Sequence, residues 1–369
     1  MSTCVVLSDA VVHDILMSLS KDETKTFLDR VATSLKDFSV GDERSYQPEP
    51  AVVRRADGRK NLFRSFTSST GVGVKIIVDP SAALTADQTT SEAERNKLMG
   101  LHGVLALCDQ NGFPVGFVNA EELTGYRTSL SAMILFAWRR NTANIVVFGA
   151  GKQALWHMRL ALTLRGDDIK KITVVNRSAG RTQSLLDQIS EENKSRWKSN
   201  VEFDSVPSDD EERLEQVLGQ ADVVFCTTPS KQVLFPARYL TSQEKGCYVS
   251  AIGSWQTDMI ELDPELLRNA AQRNRTGGLV VVDNREDCMK STGEVIQSRL
   301  EVDKIIEVGE ILDLVTKPTS ELQEETKACL ETGFVVYKSI GVSVTDLSAG
   351  QAVLDMARTR QRGLPVPDF

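Results

Sequence analysis

One short stretch constrains this chain more than any other. Ile145-Val146-Val147-Phe148 runs directly into Gly149-Ala150-Gly151-Lys152-Gln153-Ala154, an apolar strand that breaks at a Gly-x-Gly-x-x-Ala turn and enters a helix. Each small residue serves a different need. Gly149 allows the tight turn, Gly151 lets a pyrophosphate approach the backbone, and Ala154 lets the helix pack close to its strand. Phosphates would then lie at a helix N-terminus, where N–H groups and the dipole favour negative charge. A glycine pattern alone is weak, but here it has its strand-turn-helix context, and a second strand, Ile172 to Val175, follows at the expected distance. Gly149, Ala150, Gly151, Lys152, Gln153 and Ala154 therefore read as a dinucleotide phosphate site.

The surrounding grammar fits. Ile145 to Phe148, Ile172 to Val175, Val223 to Cys226, Tyr248 to Ile252 and Leu279 to Val282 are apolar runs with helical segments between them, the mark of a buried parallel sheet. One of those helices is expected to follow Ser208 and open with Asp209, Asp210, Glu211 and Glu212, which complements its dipole. The first 120 or so residues differ. They begin with helical material, capped by Ser8 or Asp9 and carrying Val11, Val12, Ile15, Leu16 and Leu19, and continue in a second amphipathic segment with Phe27, Leu28, Val31 and Leu35. Short apolar runs follow, Ala51 to Val53, Val72 to Val78, Gly103 to Cys108 and Phe113 to Asn119, with Asp57-Gly58 and Asn111-Gly112 as hairpin turns. The fold class is α/β: a Rossmann-type doubly wound parallel sheet domain beside an α+β domain. A chain of 369 residues exceeds what one core usually sustains, which also implies two domains.

The second strand of the nucleotide domain ends in Asn176-Arg177-Ser178. An acid at this place would bind the ribose 2′-hydroxyl of NAD, whereas an Arg suits a 2′-phosphate. With the acid absent and Arg177 present, NADP(H) is the expected cofactor, held here by Asn176, Arg177 and Ser178. A net charge of −8 argues against nucleic acid as a partner. No run of about 18 apolar residues is present to span a membrane, and the first residues lack the pattern of a secretory or transit signal, so a cytoplasmic location is expected. The six cysteines and three histidines are scattered without metal-ligand spacing, so no metal site is expected.

The chain also resembles the ornithine cyclodeaminase and mu-crystallin family. The residues that carry the resemblance are Gly71-Val-Gly-Val-Lys75, Leu123-Thr-Gly-Tyr-Arg127-Thr128, the Gly149 loop, Ala221-Asp-Val-Val-Phe-Cys-Thr-Thr228, Val249-Ser-Ala-Ile-Gly253 with Glu261-Leu262, and Lys338-Ser-Ile-Gly341 leading to Asp346. The resemblance implies a homodimer, with residues 1–127 and 320–369 forming the substrate-binding and dimerisation domain and residues 128–319 the NADP(H)-binding domain. It implies hydride exchange between a nicotinamide and the α-carbon of an amino or imino acid. Lys75 and Arg127 match the family's catalytic residues at the substrate carboxylate, a use suited to a point charge with a transferable proton and a bidentate fork. Thr128 falls near the cofactor phosphates, Thr227, Thr228 and Ile252 at the nicotinamide half, and Ser339 joins the cofactor set, with Asp346 a further candidate.

Departures from the family narrow the chemistry. Ornithine cyclodeaminases carry a basic Asp at the position of Trp255 here, with Asp258 nearby; Trp cannot take up a proton, so reduction is favoured over cyclodeamination. Upstream, Arg54 or Arg55 stands in for a family arginine and Arg64 occupies a position where Met is usual, which places Arg54, Arg64 and Trp255 among the substrate-binding candidates. The expectation is an NADPH-dependent reductase of a cyclic α-imino acid or ketimine. The alternatives are an ornithine cyclodeaminase or amino-acid dehydrogenase using NAD, and a non-catalytic NADP(H)-regulated binding protein.

Overall fold

The computed structural model describes residues 3–80, 83–84, 91, 100–241, 245–273, 277–317, 320–367 and 369. The chain divides into two units.

The first unit comprises residues 1–19, 41–127 and 343–369. Its sheet contains β1 (Cys4–Leu7), β2 (Ala51–Arg54), β3 (Lys60–Ser68), β4 (Gly71–Asp79), β5 (His102–Asp109), β6 (Pro114–Asn119) and the last strand of the chain, β15 (Leu364–Val366). Their order is β15-β1-β6-β5-β4-β3-β2. All neighbours are antiparallel except β1 and β6. The chain thus opens on a strand, not on the helix that its Ser8 cap announces; four residues are too few for alternation to show. The helix Asp9–Met17 follows, with the Ser8 side chain accepting from Val11 N. Both expected turns are present, and Gly58 and Gly112 adopt φ of 90° and 86°, which glycine tolerates without steric cost.

One face of this sheet is covered by the helix Ser343–Thr359. A Cβ on Gly350 would lie 2.4 Å from Leu105 Cδ2, so a larger residue there would displace the leucine side chains of the sheet. Period-2 alternation sends Leu62, Arg64 and Phe66 of β3 to the same side as Lys75 and Ile77 of β4 and Leu105 and Leu107 of β5. All except half-buried Arg64 are buried. Lys75 is the only charged member of that buried set.

The second unit comprises residues 20–40 and 128–342. Its strands are β7 (Asn144–Phe148), β8 (Lys171–Asn176), β9 (Glu202–Pro207), β10 (Val223–Cys226), β11 (Tyr248–Ala251), β12 (Gly278–Val282), β13 (Ile305–Glu307) and β14 (Phe334–Lys338). They pair in parallel throughout, in the order β13-β12-β14-β11-β10-β7-β8-β9. The chain starts at β7, winds outward through β8 and β9, then returns to β10 on the other side. That reversal is the switch point of a doubly wound Rossmann-type sheet, where a crevice opens at the strands' carboxyl ends. Val146, Phe148, Val224, Cys226, Val249, Val280 and Val336 build the core on one face.

The boundaries differ from those read in the sequence at two places. Residues 320–342 stay with the second unit because β14 is an interior strand between β11 and β12. The helix Lys21–Val40 also belongs there, against the helix Val308–Thr316: a Cβ on Gly309 would lie 2.2 Å from Leu35 O. Asp210, not Ser208, caps the helix Glu211–Gln220.

Candidate active site

In the first unit, a buried triad of charges sits between sheet and helix. Lys75 of β4 and Asp346 of the helix Ser343–Thr359 are each 2% exposed, and Lys75 Nζ lies 2.7 Å and 2.6 Å from the two carboxylate oxygens. Arg127, in the helix Ala120–Phe136, brings Nε to 2.9 Å from Asp346 Oδ1, while Nη1 reaches Thr345 Oγ1 at 3.5 Å. Burial, then the neighbouring Arg127 charge, depress the Lys75 ammonium to about 7 against the attraction of Asp346, and Arg64 adds to the depression. For Asp346, burial opposes the charge, yet Arg127 and Lys75 hold its carboxyl below the usual carboxylate range. The arrangement places two cations on one buried carboxylate, with a lysine proton that can move near neutral pH.

Arg64 lies directly across from Lys75 in the β3–β4 ladder and is close enough to influence both Lys75 and Asp346. Arg54 is not brought to this cluster. It is exposed at the end of β2, opposite Lys60, and four residues of β3 from Arg64 amount to about 13 Å at ~3.3 Å per residue.

In the second unit, Gly149 leaves β7 at φ 105°. A Cβ there would lie 2.9 Å from Thr227 Oγ1, so the turn needs glycine for conformation and for space. Gly151 precedes the helix Lys152–Arg165 without a side-chain cap. A Cβ on it would meet nothing within 4 Å; the protein's own packing does not require this glycine, whereas a phosphate held against the backbone would. Ala154 is fully buried. These features fit a dinucleotide.

At the end of β8, the Asn176 amide donates to Ser178 O at 3.1 Å and Thr182 Oγ1 at 3.3 Å, Ser178 caps the next helix, and Arg177 and Arg181 are exposed at the turn. Thr227 donates its hydroxyl to Phe148 O at 2.7 Å, which ties the end of β10 to the end of β7. Thr128 is buried and Ile252 half-buried. Ser339 Oγ donates to Asp283 Oδ2 at 2.6 Å. Trp255 is half-buried in the loop after β11, and Asp258 is exposed and paired with Lys231 at 2.7 Å.

Sequence reasoning quoted Glu261 and Lys338 only as motif residues and gave no role to them, to Glu294 or to Asp283, all buried. Lys338 Nζ donates to Ser254 Oγ at 2.7 Å and stands 3.1 Å from Glu294 Oε1 and 3.8 Å from Glu261 Oε2. Burial pushes the Glu261 carboxyl up to about 7, with Lys338 pulling the other way. Burial disfavours the Lys338 charge, but Glu294 and Glu261 raise its pKa above the ordinary lysine value. The available signal was a Lys ending an otherwise apolar strand, Phe334-Val-Val-Tyr-Lys338. Among the described residues no group of three His, Cys, Asp or Glu could hold a metal ion, and no helix is long and apolar enough to cross a membrane.

Residues 80–361 match a family model described as the ornithine cyclodeaminase/mu-crystallin family. A Delta(1)-pyrroline-2-carboxylate reductase of Colwellia psychrerythraea is 25% identical over 272 residues, 71% of this chain and 76% of the relative. The ketimine reductase mu-crystallin of Mus musculus is 26% identical over 327 residues, 87% and 89% of the two chains. Among solved structures, Thermococcus litoralis Delta(1)-pyrroline-2-carboxylate reductase, in complex with NADH and L-proline, superposes with a TM-score of 0.74 at 17% identity, covering 98% of this chain and 100% of the other.

Proposed function

The chain belongs to the ornithine cyclodeaminase/mu-crystallin family, and from that premise we propose that it is an NADPH-dependent reductase of a cyclic α-imino acid, working as a homodimer. The observation that carries the reading is the Lys75–Asp346–Arg127 triad: a buried anion site with a proton donor poised near neutrality. The names of the Colwellia and mouse relatives, both reductases, support imine chemistry.

Gly149 to Ala154 would hold the pyrophosphate, and Asn176, Arg177 and Ser178 the ribose 2′-phosphate, since no acid stands there to repel it. Thr128, Thr227, Thr228, Ile252 and Ser339 complete the cofactor site, with the Ser339 hydroxyl anchored on Asp283. A bound reduced nicotinamide supplies a hydride to the C=N carbon. Arg127 orients the substrate carboxylate, Lys75 adds charge and donates the proton to the imine nitrogen, and Asp346 fixes both cations in place. Arg64 borders this site, and Trp255 of the second unit stays a substrate-binding candidate. Cyclodeamination is disfavoured, because Asp258, the carboxylate nearest to Trp255 in sequence, is exposed and paired with Lys231.

The test follows NADPH and NADH oxidation with pyrroline-2-carboxylate, piperideine-2-carboxylate and thiazine ketimines, beside ornithine with NAD. Ketimine turnover with NADPH preferred is the expected result. Ammonia release from ornithine without imine reduction would restore the cyclodeaminase, and NADPH binding with no turnover across the panel would leave a binding protein.

A further inference from the structure

The loops that follow β10 and β11 are bound together by a single side chain. Glu261 has no solvent exposure. Its Oε1 accepts from Thr228 N at 2.9 Å, and its Oε2 accepts from Gly253 N at 2.6 Å and Ser254 N at 3.1 Å. Gly253 has no room for a side chain: a Cβ would lie 2.2 Å from Thr228 O and 2.6 Å from Glu261 Oε1. The two loops are therefore in backbone contact, with the carboxylate closing the joint.

Behind it, Lys338 at the end of β14 links Glu261 to Glu294 through Ser254, whose hydroxyl donates to Glu294 Oε1 at 2.5 Å. Three buried ionisable side chains are an expensive way to join two loops, since well-packed apolar side chains often serve stability as well or better. What the charges provide is direction. A carboxylate that accepts three N–H bonds fixes where the backbone of residues 228 and 253–254 lies, and with it the flanking Thr227 and Ile252.

We propose that Glu261, braced by Lys338, is a positioning residue that sets the spacing of the two loops bordering the nicotinamide end of the cofactor. It rests on the nucleotide-binding reading above. The adenine end is held by the Arg177 turn after β8, where the Asn176 amide donates to Ser178 O and Thr182 Oγ1.

The two ends can be probed separately, with NADPH as the whole nucleotide and adenosine 2′,5′-bisphosphate as its adenine half. Dissociation constants would be measured for the full chain and for Glu261→Gln, whose amide brings N–H donors against N–H donors. The expected result is a loss of at least tenfold for NADPH with the fragment's affinity within twofold of the parent. Gly253→Ala, which forces the same loops apart while leaving every buried charge in place, should give the same split, and it serves if Glu261→Gln does not fold. Parallel loss of both probes in the folded variants would make the network merely structural and overturn the proposal, as would unchanged affinity for both. A parent chain that binds neither probe would instead remove the nucleotide reading, and this inference with it.

Discussion

Lys75 stands on an inward-facing row of β4 where Ile77 follows it and Leu105 lies opposite, so its ammonium has little solvent to stabilise it. Its depression to about 7 has a direct consequence for rate. In the proposed reaction the Lys75 proton is consumed, so kcat/KM should be high below pH 7 and decline as the pH rises through about 7. An arriving substrate carboxylate adds a second anion beside Asp346 and favours the charged form, so the corresponding limb of kcat should lie at higher pH. A pH–rate profile with the two limbs in the opposite order would remove Lys75 from the acid's role. Lys75→Met should lower kcat by roughly 10²–10⁴-fold, the usual contribution of a positioned acid, while NADPH affinity, measured by titration, stays near that of the parent. Arg127→Lys keeps the charge but loses the planar fork, and the expected effect is a raised KM for the imine. Lys75 and Arg127 were legible in the sequence only through the family resemblance. Asp346 was visible only as a further candidate: it follows Lys75 by 271 residues, and nothing local marks one Asp in a helix as the counter-ion of a distant strand.

At the scale of elements, close approach between helices gives a stability prediction. Gly309 lets the helix Val308–Thr316 touch the backbone of the helix Lys21–Val40, so Gly309→Val should cost roughly 1–3 kcal/mol, as overpacking of a tight contact generally does. A lower denaturation midpoint with cofactor affinity retained would bear this out; an unchanged midpoint would mean that the helices separate freely. The parallel strands were legible where the apolar run was at least four residues and bounded by turns, as in β7, β8, β10, β11 and β12. The strands missed have physical reasons. β1 and β13 are too short to show a period. β9, Glu202–Pro207, is a sheet edge with polar positions. β3 alternates Leu62 and Phe66 with Arg64 between them, which hides its buried face. β14 is fully buried and apolar until Lys338, and the expectation of a C-terminal return to the first domain drew it away from the sheet it completes. Glu261 was legible as a motif residue but not as a joint, because its three donors come from two separate loops.

For the whole molecule, β2 is the open edge of the first unit's sheet, and all four of its residues are exposed. Val52 and Val53, 49% and 47% exposed, point to opposite faces, so each face of this edge carries an exposed valine, with Arg54 beside Val52. Such an edge invites pairing with another chain unless something covers it. As a homodimer the protein should elute and scatter light at twice the chain mass, and Val52→Lys with Val53→Lys should weaken that association; a monomeric parent at micromolar concentration would contradict it. The central claim concerns the bond formed, and isotope transfer tests it most directly. NADPH carrying deuterium at the transferable C4 position would be incubated with the protein and piperideine-2-carboxylate, and the amino-acid product examined by NMR and mass spectrometry. The account predicts one deuterium, located at the α-carbon and with a single configuration. A product without deuterium at that carbon, or no product while ornithine releases ammonia in the parallel tube, would contradict it.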